Sequence, residues 1–395
     1  MSVEDAADAH RVKCPFCLAW NGLRRGPEQE CDDCLRRWTP VPTDAGATFS
    51  LAGREFRITA SCNNPVIPPR HGFAHESFRH PDLARLRRKY RLDHITSGIA
   101  GEFDRQLALR DWVCAAWASG QPSVAFPRLV HENHVDRMLT LARREGRAYF
   151  CTYKAMASVE LAAAFGWTAR LVNIMKHMVH EIWSNELNKW VLHDSLYNVH
   201  YERGGLPLSV REIREEYHRD GARRVRSTWG RGRRDLGPAH CGDFAWYVVY
   251  THNNFFDFPP GDHIHPLLMP RDRWNRGKHW RQGAQITRRR GDKYISKGMV
   301  VEESDPRQLD YKIDQTEVLL LQSERKLQAR FHHNMPNYGA LMTRVNGGPW
   351  VRHADWRATK LDWPLRAHGN TLEARCVNTA GVPGPISAIS IGKPR

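Results

Sequence analysis

The sequence contains no run approaching the roughly 18 consecutive apolar residues that a membrane-spanning helix requires. It also lacks the low hydrophobicity of disordered chains, because 41% of its 395 residues are hydrophobic, 10% are aromatic and 26% are charged. Membrane-spanning and intrinsically disordered classes are therefore excluded. A chain of this length can bury a sizeable core, and at roughly 150 residues per domain it favours two or three domains over one.

The first residues, MSVEDAADAHRVKCPF, lack the basic and apolar segments of a secretory signal. We therefore expect a cytoplasmic protein whose cysteines stay reduced. The nine Cys are an odd number, and four of them form two tight CxxC pairs. This usage favours metal ligation over a disulfide framework.

Acidic residues are fewer than basic ones, with 43 Asp and Glu against 59 Lys and Arg, which gives a formal net charge of +16. A positive field of this size attracts nucleic acid, acidic glycan or an anionic protein surface, although a solvated basic surface is the simpler interpretation. Two Arg-rich stretches, 219–237 and 271–293, also carry Trp residues. We expect both to be exposed loops that could dock an anionic partner.

The two CxxC pairs are Cys14 with Cys17 and Cys31 with Cys34, separated by 13 residues. Each pair can place two thiolates on one metal ion through a tight turn, and four thiolates complete a tetrahedral Zn²⁺ site. Because such a site has no open position, its zinc is expected to be structural. A redox dithiol pair or unbound thiols are the alternatives.

A catalytic constellation can be assembled from the segment 148–198. The pattern predicts a helix that Cys151 opens, then a strand, then a hairpin around SNELNK. A thiol at a helix N-terminus meets the positive end of the helix dipole and free N–H groups, both of which favour the thiolate. A His on the first hairpin strand and Asp194 at the end of the second could complete a Cys-His-Asp triad, although a buried structural thiol is the alternative.

The hairpin contains two candidate bases, His177 and His180. Side chains alternate between the faces of a strand, so the loop length decides which His shares a face with Asp194. An even number of loop residues selects His177 and an odd number selects His180. The sequence SNELNK does not show which loop length applies.

Three motifs in this segment resemble the transglutaminase-like superfamily, which includes transglutaminases, peptide:N-glycanases and bacterial cysteine peptidase-like proteins. They are GWTARLV, HMVHEI and WVLHD, and the resemblance spans roughly residues 103–217. It implies an α+β, papain/transglutaminase-like core in which Cys151 is the nucleophile, His177 the base and Asp194 the residue that orients it. It also implies a thiol-dependent amide hydrolase or acyltransferase that acts on a protein or peptide substrate.

The chain departs from that family at Tyr149, where members commonly carry Gly. Its CxxC pairs also lie far from Cys151, unlike those of peptide:N-glycanases. The backbone N–H of Cys151 is the expected oxyanion donor, with Trp112 or Trp117 as side-chain candidates. A catalytically degenerate scaffold that binds an anionic partner is the alternative function.

The C-terminal part of the sequence contains short strand-like runs separated by Gly, Pro and Asn, which is typical of a β-sandwich. The rows RVNGGPW and WPLRAHGNTLEARCVNTAGVPGP resemble the C-terminal half of immunoglobulin-like and fibronectin-like modules. The sequence therefore predicts a zinc ribbon over residues 1–45, a transglutaminase-like catalytic core over 46–305 and a β-sandwich over 306–395.

Overall fold

The computed structural model is a mixed α+β protein, as the sequence predicts. It describes residues 11–22, 28–120, 134–175, 177–239, 241–257, 267–271, 300–323 and 326–394. The chain divides into unit 1, residues 1–67 with 313–395, and unit 2, residues 68–312. In these described ranges, every helix is too short or too polar to cross a membrane.

The strands are given in chain order. In unit 1 the first are β1 Arg11–Lys13, β2 Trp20–Gly22, β3 Gln29–Glu30, β4 Arg37–Val41, β5 Thr48–Leu51 and β6 Arg54–Cys62. Unit 2 contains β7 Ala74–His75, β8 Ala169–Ile174, β9 His177–Ser184, β10 Lys189–His193, β11 Val199–Arg203, β12 Leu206–Pro207, β13 Arg226–Trp229, β14 Arg234–Pro238, β15 Tyr247–Tyr250, β16 His252–Asn253, β17 Leu267–Pro270 and β18 Val300–Glu303. Unit 1 resumes with β19 Thr316–Ser323, β20 Lys326–His333, β21 Tyr338–Val345, β22 Val351–His353, β23 Lys360–Trp363, β24 Asn370–Asn378 and β25 Ser387–Gly392.

Within the described ranges, the α-helices lie in unit 2. They are α1 Pro81–Lys89, α2 Asp93–Thr96, α3 Glu102–Ala115, α4 Val135–Glu145, α5 Cys151–Ala164, α6 Val210–Asp220 and α7 Pro306–Leu309. A capping box begins α6, where the side chains of Ser209 and Glu212 each accept a hydrogen bond from the other's backbone N–H.

Unit 1 is built from two antiparallel sheets that share an apolar core. The sheet orders are β23-β20-β19-β4-β3 and β22-β21-β24-β25-β6-β5. Leu327 of the first sheet and Ile58 and Leu372 of the second are fully buried in one cluster. Residues of β24 alternate between buried and half-buried, which is the period of two expected for one covered face. The strands predicted in the C-terminal sequence are present, and their immunoglobulin-like classification stays a prediction.

The strands of unit 1 come from both ends of the chain. Strand β6 pairs with β25, and β4 pairs with β19. Residues 46–67 therefore belong with the sandwich, whereas the sequence predicted them as the start of the catalytic core. The sequence could not show this, because pairing between strands hundreds of residues apart leaves no local pattern.

Unit 2 contains a six-stranded sheet in the order β10-β9-β8-β15-β17-β18, parallel only between β17 and β18. Leu171 of β8 packs in one apolar cluster with α3, α4 and α5. Val172, the next residue, packs in a second cluster with α6 and the short 3₁₀ helix Gly242–Ala245. Successive residues face opposite sides of a strand, so the sheet has apolar layers on both faces.

A smaller sheet, β12-β11-β13-β14, contains the first Arg-rich stretch. The sequence predicted an exposed loop over 219–237, and the structure instead forms the hairpin β13–β14 within it. Thr228 is the buried residue of β13, so the stretch lacks the apolar alternation that would have identified a strand. Most of the second Arg-rich stretch, 271–293, lies outside the described residues.

Candidate active site

The structure brings Cys151, His177 and Asp194 together. Cys151 is the first residue of α5, His177 begins β9, and Asp194 directly follows β10. Strands β9 and β10 pair Ser184 with Lys189 across the four-residue turn 185–188. This even-numbered turn places Asp194 on the same face as His177, which resolves the choice that the sequence left open.

His180 lies on the other face of the hairpin and pairs directly with His193. Their rings stack with centroids 5.7 Å apart, and both side chains are buried. Within the described part of the chain, neither imidazole has a hydrogen-bond partner. Burial lowers the pKa of His180 to about 3, so both rings are neutral members of the core near neutral pH.

Asp194 is held rigidly and in turn orients His177. Nε2 of His177 donates a hydrogen bond of 2.8 Å to Oδ2 of Asp194. The other carboxylate oxygen accepts backbone N–H groups from Leu196 at 2.9 Å and Tyr197 at 3.2 Å. With Nε2 engaged in this way, Nδ1 is the ring nitrogen left to face the thiol.

The thiol and the imidazole change each other's ionisation. Burial opposes ionisation of Cys151, but hydrogen bonds from His177 and from the backbone N–H of Met178 lower the pKa of the thiol below its usual value. Burial also opposes the charge on His177, but the hydrogen bonds to Asp194 and Cys151 raise the pKa of the imidazole to about 10. Both shifts favour a thiolate beside an imidazolium.

Lys154 lies one helical turn after Cys151 and is buried. Its ammonium donates hydrogen bonds to the carbonyl oxygens of Cys114 at 2.7 Å and Trp117 at 3.2 Å. These bonds join α5, the helix that Cys151 begins, to the end of α3. Lys154 was not among the residues predicted from the sequence, and the presence of one lysine in a helix rich in Ala was the available signal.

Arg110 forms a second buried connection to the site. Its Nε donates to Oδ1 of Asn198 and its Nη1 to Nδ1 of His200, both at 2.9 Å. Asn198 adopts a left-handed backbone conformation, with a φ of 57°. It belongs to the turn that follows Asp194, whose ends are joined by two backbone hydrogen bonds between Asp194 and Val199. Arg110 therefore supports the turn that carries the acid.

The two tryptophans proposed as oxyanion donors have different surroundings. The indole Nε1 of Trp117 is buried and has no hydrogen-bond partner among the residues that the structure describes. Trp112 is half-buried, and its ring contacts Tyr90 with centroids 6.3 Å apart. Tyr149 is fully buried, and its ring packs against Trp117 and Tyr153. Trp117 therefore has the unused donor.

The four cysteines of the CxxC pairs form a second site, in unit 1. All four Sγ atoms lie within 4.8 Å of one another, with Cys14 and Cys34 3.6 Å apart and Cys17 and Cys31 3.3 Å apart. Backbone N–H groups of Phe16 and Cys34 donate to Cys14 and Cys31. Zn–S bonds of about 2.3 Å in a tetrahedron separate sulfurs by about 3.8 Å, so this cluster could hold a metal ion.

Comparison with known proteins gives no relative. No protein-family profile, curated protein or solved structure matches the chain. The transglutaminase-like resemblance therefore depends on the three motifs, and the function must be argued from the geometry of the site.

Proposed function

We propose that the protein is a thiol-dependent amide hydrolase or acyltransferase that acts on a protein or peptide substrate, as the transglutaminase-like resemblance implies. The observation that supports it most strongly is the 2.8 Å hydrogen bond between His177 and Asp194, together with the proximity of Cys151 to His177, through which each group shifts the other's pKa. A nucleophile, a base and a group that orients the base are the three parts that acyl transfer through a thiol requires.

In the proposed reaction, the Cys151 thiolate attacks the carbonyl carbon of an amide and a C–S bond forms. The carbonyl oxygen becomes an oxyanion, for which the backbone N–H of Cys151 and the indole N–H of Trp117 are the candidate donors. The intermediate collapses as the C–N bond breaks, and the amine leaves with the proton that the His177 imidazolium held. The product is a thioester on Cys151.

The thioester is then resolved by a second nucleophile. Water or an amine loses a proton to His177 and attacks the thioester carbonyl, and the C–S bond breaks. Water gives a carboxylic acid, which completes hydrolysis, and an amine gives a new amide, which completes transamidation. Asp194 keeps the imidazole in the orientation that both steps need.

Selective alkylation tests the proposal without a known substrate. We expect iodoacetamide near neutral pH to modify Cys151 far faster than Cys62, Cys114, Cys241 or Cys376, measured by peptide mass spectrometry after short exposures. Cys62 is the stringent comparison because it is exposed, whereas burial raises the pKa of Cys241 and Cys376 to about 12. Labelling of Cys151 at or below the rate of Cys62 would count against a catalytic thiolate.

The alternative of a degenerate scaffold has less support. Its main argument was the bulky Tyr149 near the nucleophile, where the family commonly has Gly. That side chain packs into the core against Trp117 and Tyr153, so it is not available to fill a substrate cleft.

For the four-cysteine cluster we propose a structural Zn²⁺ ion. The donor set supports this, because four thiolates in a tetrahedral arrangement are the ligands of structural zinc sites and leave no position for water or substrate. The cluster also has few apolar neighbours, chiefly Trp38 and Leu321 with the half-buried Phe16. A metal would replace the core that such a small segment cannot build.

A further inference from the structure

An exposed aromatic and basic surface borders the candidate active site. We name it the site rim and define it as Tyr197, Trp229, Arg231 and Arg234. Tyr197 is 63% exposed and Trp229 is 47% exposed, which is unusual for large aromatic side chains. Both arginines are exposed as well. The rim therefore offers two aromatic rings and two guanidinium groups to solvent.

The rim is continuous with the catalytic residues. The Tyr197 ring lies 5.4 Å from the His177 ring, measured between centroids. The next residue, Asn198, accepts a 2.9 Å hydrogen bond on its carbonyl oxygen from the N–H of Gly230, in the turn after Trp229. A molecule bound on the rim would therefore lie beside the His177 imidazole.

The β13–β14 turn is anchored to helix α3. The backbone N–H of Arg231 donates to the carboxylate of Asp111 at 3.0 Å, and the Arg233 guanidinium pairs with Asp104 at 2.9 Å. Because backbone and side-chain bonds both hold the turn, the rim is a preformed surface with a low ordering cost on binding.

Not every arginine of the hairpin is neutralised by the protein. Arg226 pairs with Asp235 and Arg233 with Asp104. The side chains of Arg231 and Arg234 form no ion pair or hydrogen bond with any residue that the structure describes. Two exposed, unneutralised guanidinium groups next to aromatic rings suit the planar, bidentate recognition of carboxylates.

We infer that the site rim selects polypeptide substrates that carry acidic residues next to the reactive amide. This inference depends on the proposed function, because a rim that borders the proposed base, His177, would hold the molecule that supplies the carbonyl group. Nucleic acid would satisfy the charge but contributes no acyl group to Cys151. The acidic side chains bind Arg231 and Arg234, while Tyr197 and Trp229 pack against the neighbouring part of the peptide.

Binding to the Cys151→Ala protein tests the inference, since this variant cannot turn over a substrate. The probes are fluorescein-labelled Glu-Glu-Gln-Glu-Glu, Lys-Lys-Gln-Lys-Lys and Ser-Ser-Gln-Ser-Ser peptides and a labelled single-stranded oligothymidylate, followed by fluorescence anisotropy at low and high salt. We expect the acidic peptide to bind most tightly and to weaken as salt rises. Preference for the oligothymidylate, or equal binding of all three peptides, would overturn the inference.

Charge reversal provides the matched control. In the Cys151→Ala background, Arg231→Glu with Arg234→Glu should weaken the acidic peptide by about tenfold or more. Arg223→Glu with Arg224→Glu makes the same change in net charge at the opposite end of β13, on exposed residues, and should have little effect. An equal loss in both double variants would show that only the overall charge matters and would contradict a specific rim.

The aromatic half of the rim is tested separately. Trp229→Ala should weaken the acidic peptide while leaving the salt dependence unchanged, because the charges remain. If these binding tests fail while Cys151 is still alkylated selectively, substrate selection by the site rim is rejected and the proposed enzymatic activity is retained. If the acidic peptide binds as expected but Cys151 is alkylated slowly, the proposed enzymatic activity is rejected instead.

Discussion

The His177 imidazole and the Asp194 carboxylate are joined by a 2.8 Å hydrogen bond, and the pairing register of β9 and β10 places them on one face of the hairpin. The bond directs the remaining nitrogen of the ring toward the Cys151 thiol, so the orientation of the base depends on the acid.

Replacement of Asp194 should therefore lower the reactivity of the Cys151 thiol without unfolding the site. Asp194→Asn keeps the size of the side chain but removes the charge that stabilises the imidazolium and its tautomer. We expect a loss of about 10²- to 10⁴-fold in turnover on an identified substrate, with a slower alkylation of Cys151. Asp220→Asn, at the half-buried C-terminal residue of α6, is the control and should match the wild type, because the Asn amide oxygen can keep the hydrogen bond that Asp220 accepts from the N–H of Arg223. Wild-type rates in Asp194→Asn would mean that Asp194 does not orient a base.

The pH dependence of alkylation should report the thiolate and imidazolium pair. The pKa of Cys151 is lowered, so its alkylation rate should rise with pH at a midpoint below that of an ordinary thiol. The pKa of His177 is raised to about 10, so the stabilisation from its charged form is complete below its ordinary pKa and is lost as pH rises through about 10. A single midpoint for Cys151 at or above that of exposed Cys62 would contradict the pair.

Low pH should destabilise unit 2 through the buried histidines on the face of the hairpin opposite His177 and Asp194. Burial lowers the pKa of His180 to about 3, so the folded state binds fewer protons than the unfolded state between that value and the ordinary pKa of about 6.5. The stability that neutral His180 contributes is present above about pH 6.5 and falls as pH drops toward 3, by up to about 1.4 kcal/mol per pH unit.

The variant His180→Leu should make the free energy of unfolding less sensitive to acid. Urea unfolding at about pH 8 and about pH 5 would give the loss of stability for each protein, and the variant should lose less than the wild type. Equal losses in the two proteins would show that His180 is charged in the folded state.

The proximity of Cys151, His177 and Asp194 could be predicted because each signal was local. Cys151 opens a helix within one stretch rich in Ala and other apolar residues, and the two strand-like runs of the hairpin flank a short polar turn. The supporting residues could not be predicted in the same way. Arg110 and Asn198 are far apart in the sequence and meet only through the packing of α3 against the turn after β10. The pairing of β6 with β25 was missed for the same reason.

Lys154 should contribute to stability through the two carbonyl groups it satisfies. Lys154→Met keeps most of the volume but leaves the carbonyl oxygens of Cys114 and Trp117 without this donor, at a cost of about 1–3 kcal/mol in the free energy of unfolding. Arg88→Met removes a cationic side chain from an exposed position of unit 2 and should change stability much less. Chemical unfolding of both variants measures the difference. Equal free energies of unfolding in the two variants would show that the hydrogen bonds of Lys154 to the end of α3 do not stabilise the protein.

Metal content should depend on the four-cysteine cluster. Protein purified without chelator should contain about one zinc ion per chain, and Cys14→Ser with Cys31→Ser should lose it, as measured by atomic emission. Because the proposed zinc has a structural role, the alkylation rate of Cys151 should survive this loss wherever the chain stays folded. Full metal content in the double variant would place the zinc elsewhere.

The pairing of Cys151 with His177 is tested most directly by the alkylation rate of Cys151 in two variants, each of which removes one histidine of the hairpin. Iodoacetamide labelling at about pH 7 would be measured for the wild type, His177→Ala and His180→Leu, with circular dichroism to confirm that each is folded. We expect Cys151 in His177→Ala to react as slowly as an ordinary thiol, while His180→Leu keeps the wild-type rate. A wild-type rate in His177→Ala, or a loss of reactivity confined to His180→Leu, would contradict the assignment of His177 as the base that activates Cys151.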